Sequence, residues 1–259
     1  MSVELTNLGR VLWPETGFTK GDLVAYYREI APVLLPHLSD RPLTLWRFPL
    51  GVHRRGWWQN ECRGAPAWLR TADLRGQRFC VAEDAASLVW LANQGTVELH
   101  PFPFRLAEPE RPLALVLDLD PGPPAALDAA REVALLLRER LPSARVKTSG
   151  RGGLHVLAPP PATFAEAKAQ ARALAEELAA ERPDLVVAVQ RRADRRGRVL
   201  VDWLQNDPTR TTVAPYSLRG APRPTVSTPV SWEEVERGEL LFDPDDVLAR
   251  VRRHGDLLG

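Results

Sequence analysis

The residues best placed to do chemistry are two aspartates, Asp118 and Asp120, which close the apolar run LALVLDLD. Side chains alternate faces along a strand, so the pair points to one side. Two carboxylates on one face repel each other unless a cation stands between them. Such hard oxygen donors suit Mg²⁺ or Mn²⁺. The pair equally fits strand-end aspartates left in solvent or capping a turn. Asp202 ends a second apolar run, RVLVDWLQ. Beside the first two it would complete a site for two metals about 4 Å apart, the arrangement used in phosphoryl transfer. On its own it has the same plain alternative.

The third chemical element is TSGRGGLHV, residues 148–156. Ser149, Gly150, Gly152 and Gly153 make a turn whose backbone N–H groups can hold phosphate. His155 opens the next strand. It can donate a hydrogen bond to a phosphate oxygen or a pyrophosphate leaving group, or serve as a structural histidine. No Gly-Lys-Ser or Gly-Lys-Thr follows, so the turn is not a P-loop.

These residues need elements to position them. LALVLDLD reads as a buried strand, stopped by prolines from Pro121 to Pro124. A helix is expected over residues 125–141, strands near 145–147 and over 154–158, and a long helix capped by Thr163 and Glu166 that ends before Pro183. LVVAVQ and RVLVDWL read as a hairpin joined through residues 193–197. Earlier in the chain, Thr19 with Asp22 caps a helix bearing Leu23, Tyr26, Tyr27 and Ile30 on its apolar face, interrupted at Pro32. The Trp- and Arg-rich residues 43–70 read as short strands and turns. A helix over 84–94, a strand over 96–100 and a connector over 106–112 follow. Ser231 with Glu234, and Asp243 with Pro244, open two last helices that end at Gly238 and Gly255. This mixture predicts an α+β fold.

Composition narrows the classes. With 259 residues, 44% apolar and 26% charged, the chain is an ordinary globular one. A net charge of +1 excludes coating of nucleic acid by bulk positive charge. Only Lys20, Lys147 and Lys168 among the 34 basic residues are lysines. A GC-rich genome explains that bias, although guanidinium forks also hold phosphates well. Two cysteines, Cys62 and Cys80, argue against a disulfide scaffold or a Cys-rich zinc module and suit a reducing cytosol. Without an apolar run of membrane length or a signal-peptide layout, the chain reads as cytoplasmic, with no membrane partner.

Trp57 and Trp58 fit either core packing, with one ring inward and the other available, or base stacking. Arg191, Arg192, Arg195, Arg196 and Arg198 fit a solvated loop or a salt-sensitive DNA contact.

In this order, DLD, SGRGGLH and VLVDW resemble the three motifs of the archaeo-eukaryotic primase superfamily. The flanking text is similar to the polymerase domain of bacterial ATP-dependent DNA ligase D: VLWPETGFTKGDLVAYY, VELHPFPFR, QNDPTRTTVAPYSLRGAPRPTVSTPVSW and VLARVRRHGDLL. The resemblance runs from about residue 5 to the C-terminus. It implies a primase-polymerase fold, with mixed and antiparallel sheets flanked by helices in one compact domain over 1–259. Within it, an N-terminal part (about 1–112), a catalytic core (about 113–232) and C-terminal helices (about 233–259) are expected.

The resemblance also implies roles. Asp118, Asp120 and Asp202 would hold two Mn²⁺ or Mg²⁺ ions. Ser149, His155, His100, Arg219, Trp58 and Arg151 would meet the nucleotide, and Lys20 the 5′-phosphate of a DNA end. Trp57, Arg54, Arg55, Arg195 and Arg196 are further expected DNA contacts. Where the family has lysines, this chain has Trp46, Asn60 and Gly152. Arg54, Arg55 and Arg151 are the candidate replacements.

The expected function is a nucleotidyltransferase that adds ribo- or deoxyribonucleotides to a primer 3′-OH in bacterial non-homologous end joining. Its implied partners are nucleoside triphosphates, 5′-phosphorylated DNA ends or gaps, a Ku homodimer and an ATP-dependent DNA ligase, at the nucleoid. The sequence has no KxDG adenylation motif, so it is either a stand-alone polymerase or one cut from a longer ligase. A primer-independent primase and a non-catalytic end-binding module are the rival expectations.

Overall fold

The computed structural model describes residues 3–259. Helices and strands are mixed and almost all strand pairing is antiparallel, as the α+β reading requires. The chain forms two compact units that interleave in sequence. One comprises the described residues up to Ala107, with Thr211–Ser227 and Phe242–Asp256. The other comprises Glu108–Arg210, Thr228–Leu241 and Leu257–Gly259.

In the first unit, a five-stranded antiparallel sheet is centred on Leu43–Arg47, which pairs with Trp57–Gln59, Gln77–Cys80 and Thr96–Pro101. The Lys20–Leu38 helix starts at the expected cap: Thr19 accepts from Asp22 N–H, and Asp22 reaches back to Thr19 N–H. Contrary to the sequence expectation, the helix runs on through Pro32 and Pro36. Each proline removes one backbone bond. The stripe Leu23, Tyr27, Ile30, Leu34 and Leu38 is nonetheless fully buried, and its packing carries the helix past the gap. The helix also positions another strand. Tyr27 hydroxyl donates to Val97 O at 2.6 Å and accepts from Leu218 N–H at 3.1 Å, and Tyr26 hydroxyl donates to Tyr216 O. Leu218–Arg219 is thereby held beside Thr96–Pro101.

The cysteines depart from expectation as well. Cys62 N–H bonds Arg78 O, which brings Cys62 alongside the Gln77–Cys80 strand, and Cys62 and Cys80 form a disulfide with Cα atoms 5.0 Å apart. Two cysteines build no scaffold, but residues 18 apart in sequence are enough for one internal staple.

In the second unit, six strands lie in the order Val186–Val187, Val199–Asp202, Leu115–Pro121, Leu154–Ala158, Arg145–Thr148, Pro229–Val230. Helices Leu127–Arg140 and Phe164–Glu181 pack on this sheet through Val133, Ala134, Leu137, Ala171, Ala175 and Leu178, all fully buried. The expected hairpin is not one: Val186–Val187 and Val199–Asp202 run parallel. The stretch between them crosses over, with a 3₁₀ turn at Arg192–Arg195 and Gly197 N–H bonded to Gly122 O.

Candidate functional site

The sheet of the second unit assembles one row of side chains across four strands. Asp118 on the central strand stands opposite Asp202 on one side and opposite His155 on the other, and His155 stands opposite Lys147. Directly opposed residues share a face, and Asp120, two residues on, shares it too. Asp118 and His155 are buried and Asp120 is exposed. His155 Nε2 lies 3.3 Å from Asp118 Oδ1.

Asp202 has a second duty. Its Oδ1 accepts from Leu204 N–H and from the Gln190 amide, each at 2.9 Å, and so caps the short 3₁₀ turn Trp203–Asn206. Among the described residues, no three of His, Cys, Asp and Glu are gathered in metal-ligand geometry. The donor chemistry nevertheless suits a hard divalent cation: three carboxylates, two on one strand and the third directly across from the first.

The glycine-rich turn is organised by Ser149. Its hydroxyl accepts from Arg151 N–H at 3.2 Å and Gly153 N–H at 3.0 Å, while Ser149 N–H bonds Gly153 O. A Cβ at Gly153 would meet Leu119 O at 2.3 Å, and Gly152 has φ +109°, so the turn requires glycine at both places. Arg151 is exposed. In the arginine-rich loop, Arg195 donates to Gln190 O and Oε1, and Arg191 pairs with Asp194, while Arg196 is exposed.

The first unit holds the other expected residues. His100 and Arg219 are buried and converge on Glu98, which is fully buried: Glu98 Oε2 lies 2.9 Å from His100 Nε2 and 3.4 Å from Arg219 Nε. Glu98 Oε1 accepts from Gly220 N–H at 2.8 Å. The Trp58 ring meets the His100 ring edge-on at 4.7 Å and stacks on Trp46 at 4.7 Å. Neither Trp57 nor Trp58 packs inward; they are 47% and 49% exposed. They sit on a short strand opposite Arg47 and Trp46, and Arg47 lies over the Trp57 ring. Arg54 and Arg55 are exposed in the loop before it.

Lys20 lines a pocket of about 200 Å³ with Asn7, Arg10, Arg47 and Asn93. Its Nζ donates to Thr6 O at 2.5 Å. Burial, followed by the Arg10 charge, holds the Lys20 ammonium below its ordinary pKa, and burial does the same to Arg47.

The expected residues thus fall into two sets. Asp118, Asp120, Asp202, Ser149, Arg151, His155, Arg195 and Arg196 belong to one unit. Lys20, Arg54, Arg55, Trp57, Trp58, His100 and Arg219 belong to the other. Sequence reasoning missed Glu98, Lys147, Arg10 and Arg47. Glu98 and Lys147 were findable, because each lies two residues before an assigned residue, His100 or Ser149. Arg10 and Arg47 carry no such signal.

Residues 19–258 match the family model described as LigD, primase-polymerase domain. The chain is 36% identical to the multifunctional non-homologous end joining protein LigD of Mycolicibacterium smegmatis, over 99% of this chain and 35% of that protein. It is 37% identical to the multifunctional non-homologous end joining DNA repair protein LigD of Mycobacterium tuberculosis, over 99% of this chain and 36% of that one. The chain therefore spans about a third of the length of these relatives. In structure it is similar to the polymerase domain of Mycobacterium tuberculosis ligase D in complex with DNA, with a TM-score of 0.93, 37% identity, and coverage of 99% of this chain and 96% of that one.

Proposed function

The chain belongs to the LigD primase-polymerase domain family, and from that premise we propose that it extends a primer 3′-OH at DNA ends and gaps during bacterial end joining. A domain of this family is a polymerase-type nucleotidyltransferase, and the class is metal-dependent. The observation that carries the proposal is the row Asp202–Asp118–His155, which puts two carboxylates and an imidazole on one face.

In this reading Asp118, Asp120 and Asp202 hold Mn²⁺ or Mg²⁺. Bound there, the metal would neutralise charge on the reacting phosphate and lower the pKa of the 3′-OH. The 3′ oxygen bonds to the α-phosphorus as the bond to pyrophosphate breaks. His155 donates a hydrogen bond to the triphosphate, with Ser149 and Arg151 alongside. Arg219, His100 and Trp58 are the nucleotide contacts of the first unit in this reading. The Lys20 pocket takes the 5′-phosphate, and Trp57, Arg54, Arg55, Arg195 and Arg196 track the DNA. The span 1–259 acts as one polymerase module in the cytoplasm, at the nucleoid, beside Ku and an ATP-dependent DNA ligase.

The test is primer extension on a 5′-phosphorylated gapped duplex with Mn²⁺, comparing ribo- with deoxyribonucleotides. Extension that favours ribonucleotides and vanishes in Asp118→Ala is expected. Synthesis on single-stranded template without a primer would make the chain a primase instead. DNA binding without extension, under either metal, would reduce it to an end-binding module.

A further inference from the structure

Glu98 has no part in the chemistry assigned so far, yet it is a carboxylate with 0% exposure, a position where an isolated charge is strongly disfavoured. Its two oxygens meet an imidazole, a guanidinium as an ion pair and a backbone N–H. Oε2 faces both His100 Nε2 and Arg219 Nε, and Oε1 takes Gly220 N–H. In register, Glu98 stands opposite Trp46, which stands opposite Trp58, so the carboxylate begins a row that ends at the half-exposed indole. Trp58 in turn meets the ring of His100 edge-on. One buried anion therefore fixes an imidazole, a guanidinium and a backbone N–H in a single arrangement, with an aromatic wall beside it.

We propose that Glu98 is a positioning residue for the nucleotide site, orienting His100 and Arg219 together toward the incoming nucleoside triphosphate. This rests on the reading that His100 and Arg219 meet the nucleotide. The geometry explains why a carboxylate is needed. Glutamine offers a single, uncharged carbonyl oxygen and would turn an NH₂ group toward His100 and Arg219 or toward Gly220 N–H. Shared orientation also makes the two partners interdependent, because loosening the anion releases both.

The experiment compares Glu98→Gln, His100→Ala and Arg219→Ala by steady-state extension at varied nucleotide concentration, with DNA affinity measured separately. Glu98→Gln should raise the nucleotide KM about tenfold or more, with a smaller change in kcat and unaltered DNA affinity. His100→Ala and Arg219→Ala should each raise KM as well, and adding Glu98→Gln to either should cost less than it does alone. If those two variants raise KM while a folded Glu98→Gln does not, the positioning role is wrong and the site reading stands. If neither raises KM, the site reading falls and the inference falls with it.

A second measurement needs no variant. In a long-range ¹H–¹⁵N spectrum of the imidazoles, His100 should carry its proton on Nε2, the nitrogen facing the carboxylate. A neutral Nδ1–H tautomer would overturn the arrangement whatever the behaviour of Glu98→Gln.

Discussion

His155 Nε2 lies 3.3 Å from Asp118 Oδ1, across two strands whose register sets the residues face to face. The contact joins the strand proposed to meet the triphosphate to the strand proposed to hold the metal. His155→Ala should therefore act mainly on nucleotide use, raising KM by one to two orders of magnitude, on the scale of hydrogen bonds to charged groups. His155→Asn, which keeps a short donor, should recover part of the loss. Steady-state kinetics with nucleotide varied at saturating DNA decides it. An unchanged KM would leave His155 as a structural histidine pinned to Asp118.

Asp202 is the sharper test of the carboxylate set, because it also caps the Trp203–Asn206 turn through Leu204 N–H. Asp202→Asn keeps an oxygen for that cap but loses the charge. Extension should fall by about a hundred- to a thousandfold, the scale seen when a charge-stabilising catalytic group is removed. Thermal stability and DNA affinity should hardly move. Substantial residual extension would place the third ligand elsewhere.

How much of this was legible beforehand depends on what each residue's neighbours had to supply. The strands under Asp118, His155 and Asp202, and the caps at Thr19, Thr163, Ser231 and Asp243, could be read directly, because a cap or an apolar run is a local signal. That Asp202 stands opposite Asp118 could not be read from spacing, since register is fixed by pairing between distant strands. The passage of the first helix through Pro32 and the parallel course of Val186–Val187 are tertiary outcomes, where burial and a crossover overrode a breaker and an apparent hairpin. The Cys62–Cys80 bridge depended on Cys62 being brought beside Arg78.

That bridge is itself testable. It links residues 18 apart in sequence. Closing a loop of that size restricts the unfolded chain by about 3 kcal/mol in the chain-entropy account. Cys62→Ser with Cys80→Ala, or reduction by a dithiol, should lower Tm by several degrees without removing the polymerase activity. Differential scanning calorimetry with thiol counting by mass spectrometry reads both, and equal Tm values in oxidised and reduced protein would remove the staple from the stability account.

Acid sensitivity should centre on Asp207. Its carboxyl accepts from the Thr209 hydroxyl and Thr209 N–H and pairs with Lys168, which holds it well below the ordinary value of 3.8. A depressed carboxylate contributes stability that is fully present above the unfolded value and is lost as pH falls from there toward the folded one. Asp207→Asn should therefore be less stable than the parent at neutral pH, and the gap should narrow as pH drops below about 4. Urea unfolding at a series of pH values measures this. A gap that stays constant with pH would mean that packing, and not ionisation, accounts for Asp207.

Lys20 offers the cleanest separation of DNA-end recognition from catalysis, because its pocket is built with Arg10 and Arg47 and not with the carboxylates. If this pocket holds a 5′-phosphate, Lys20→Ala should weaken binding to phosphorylated ends by about tenfold and leave unphosphorylated ends unaffected. The salt dependence of phosphorylated-end binding should become shallower by about one counterion. The lowered Lys20 pKa adds a pH signature. With burial and Arg10 disfavouring its charged form, Lys20 loses its proton before an ordinary lysine does as pH rises toward 10.5. Preference for phosphorylated ends should fade over that approach, while the destabilisation caused by holding a charged Lys20 is relieved over the same range. Fluorescence anisotropy with matched phosphorylated and unphosphorylated duplexes measures both effects. Equal losses on the two duplexes would make Lys20 a structural lysine that ties down Thr6, and would return end recognition to the exposed arginines Arg54 and Arg55.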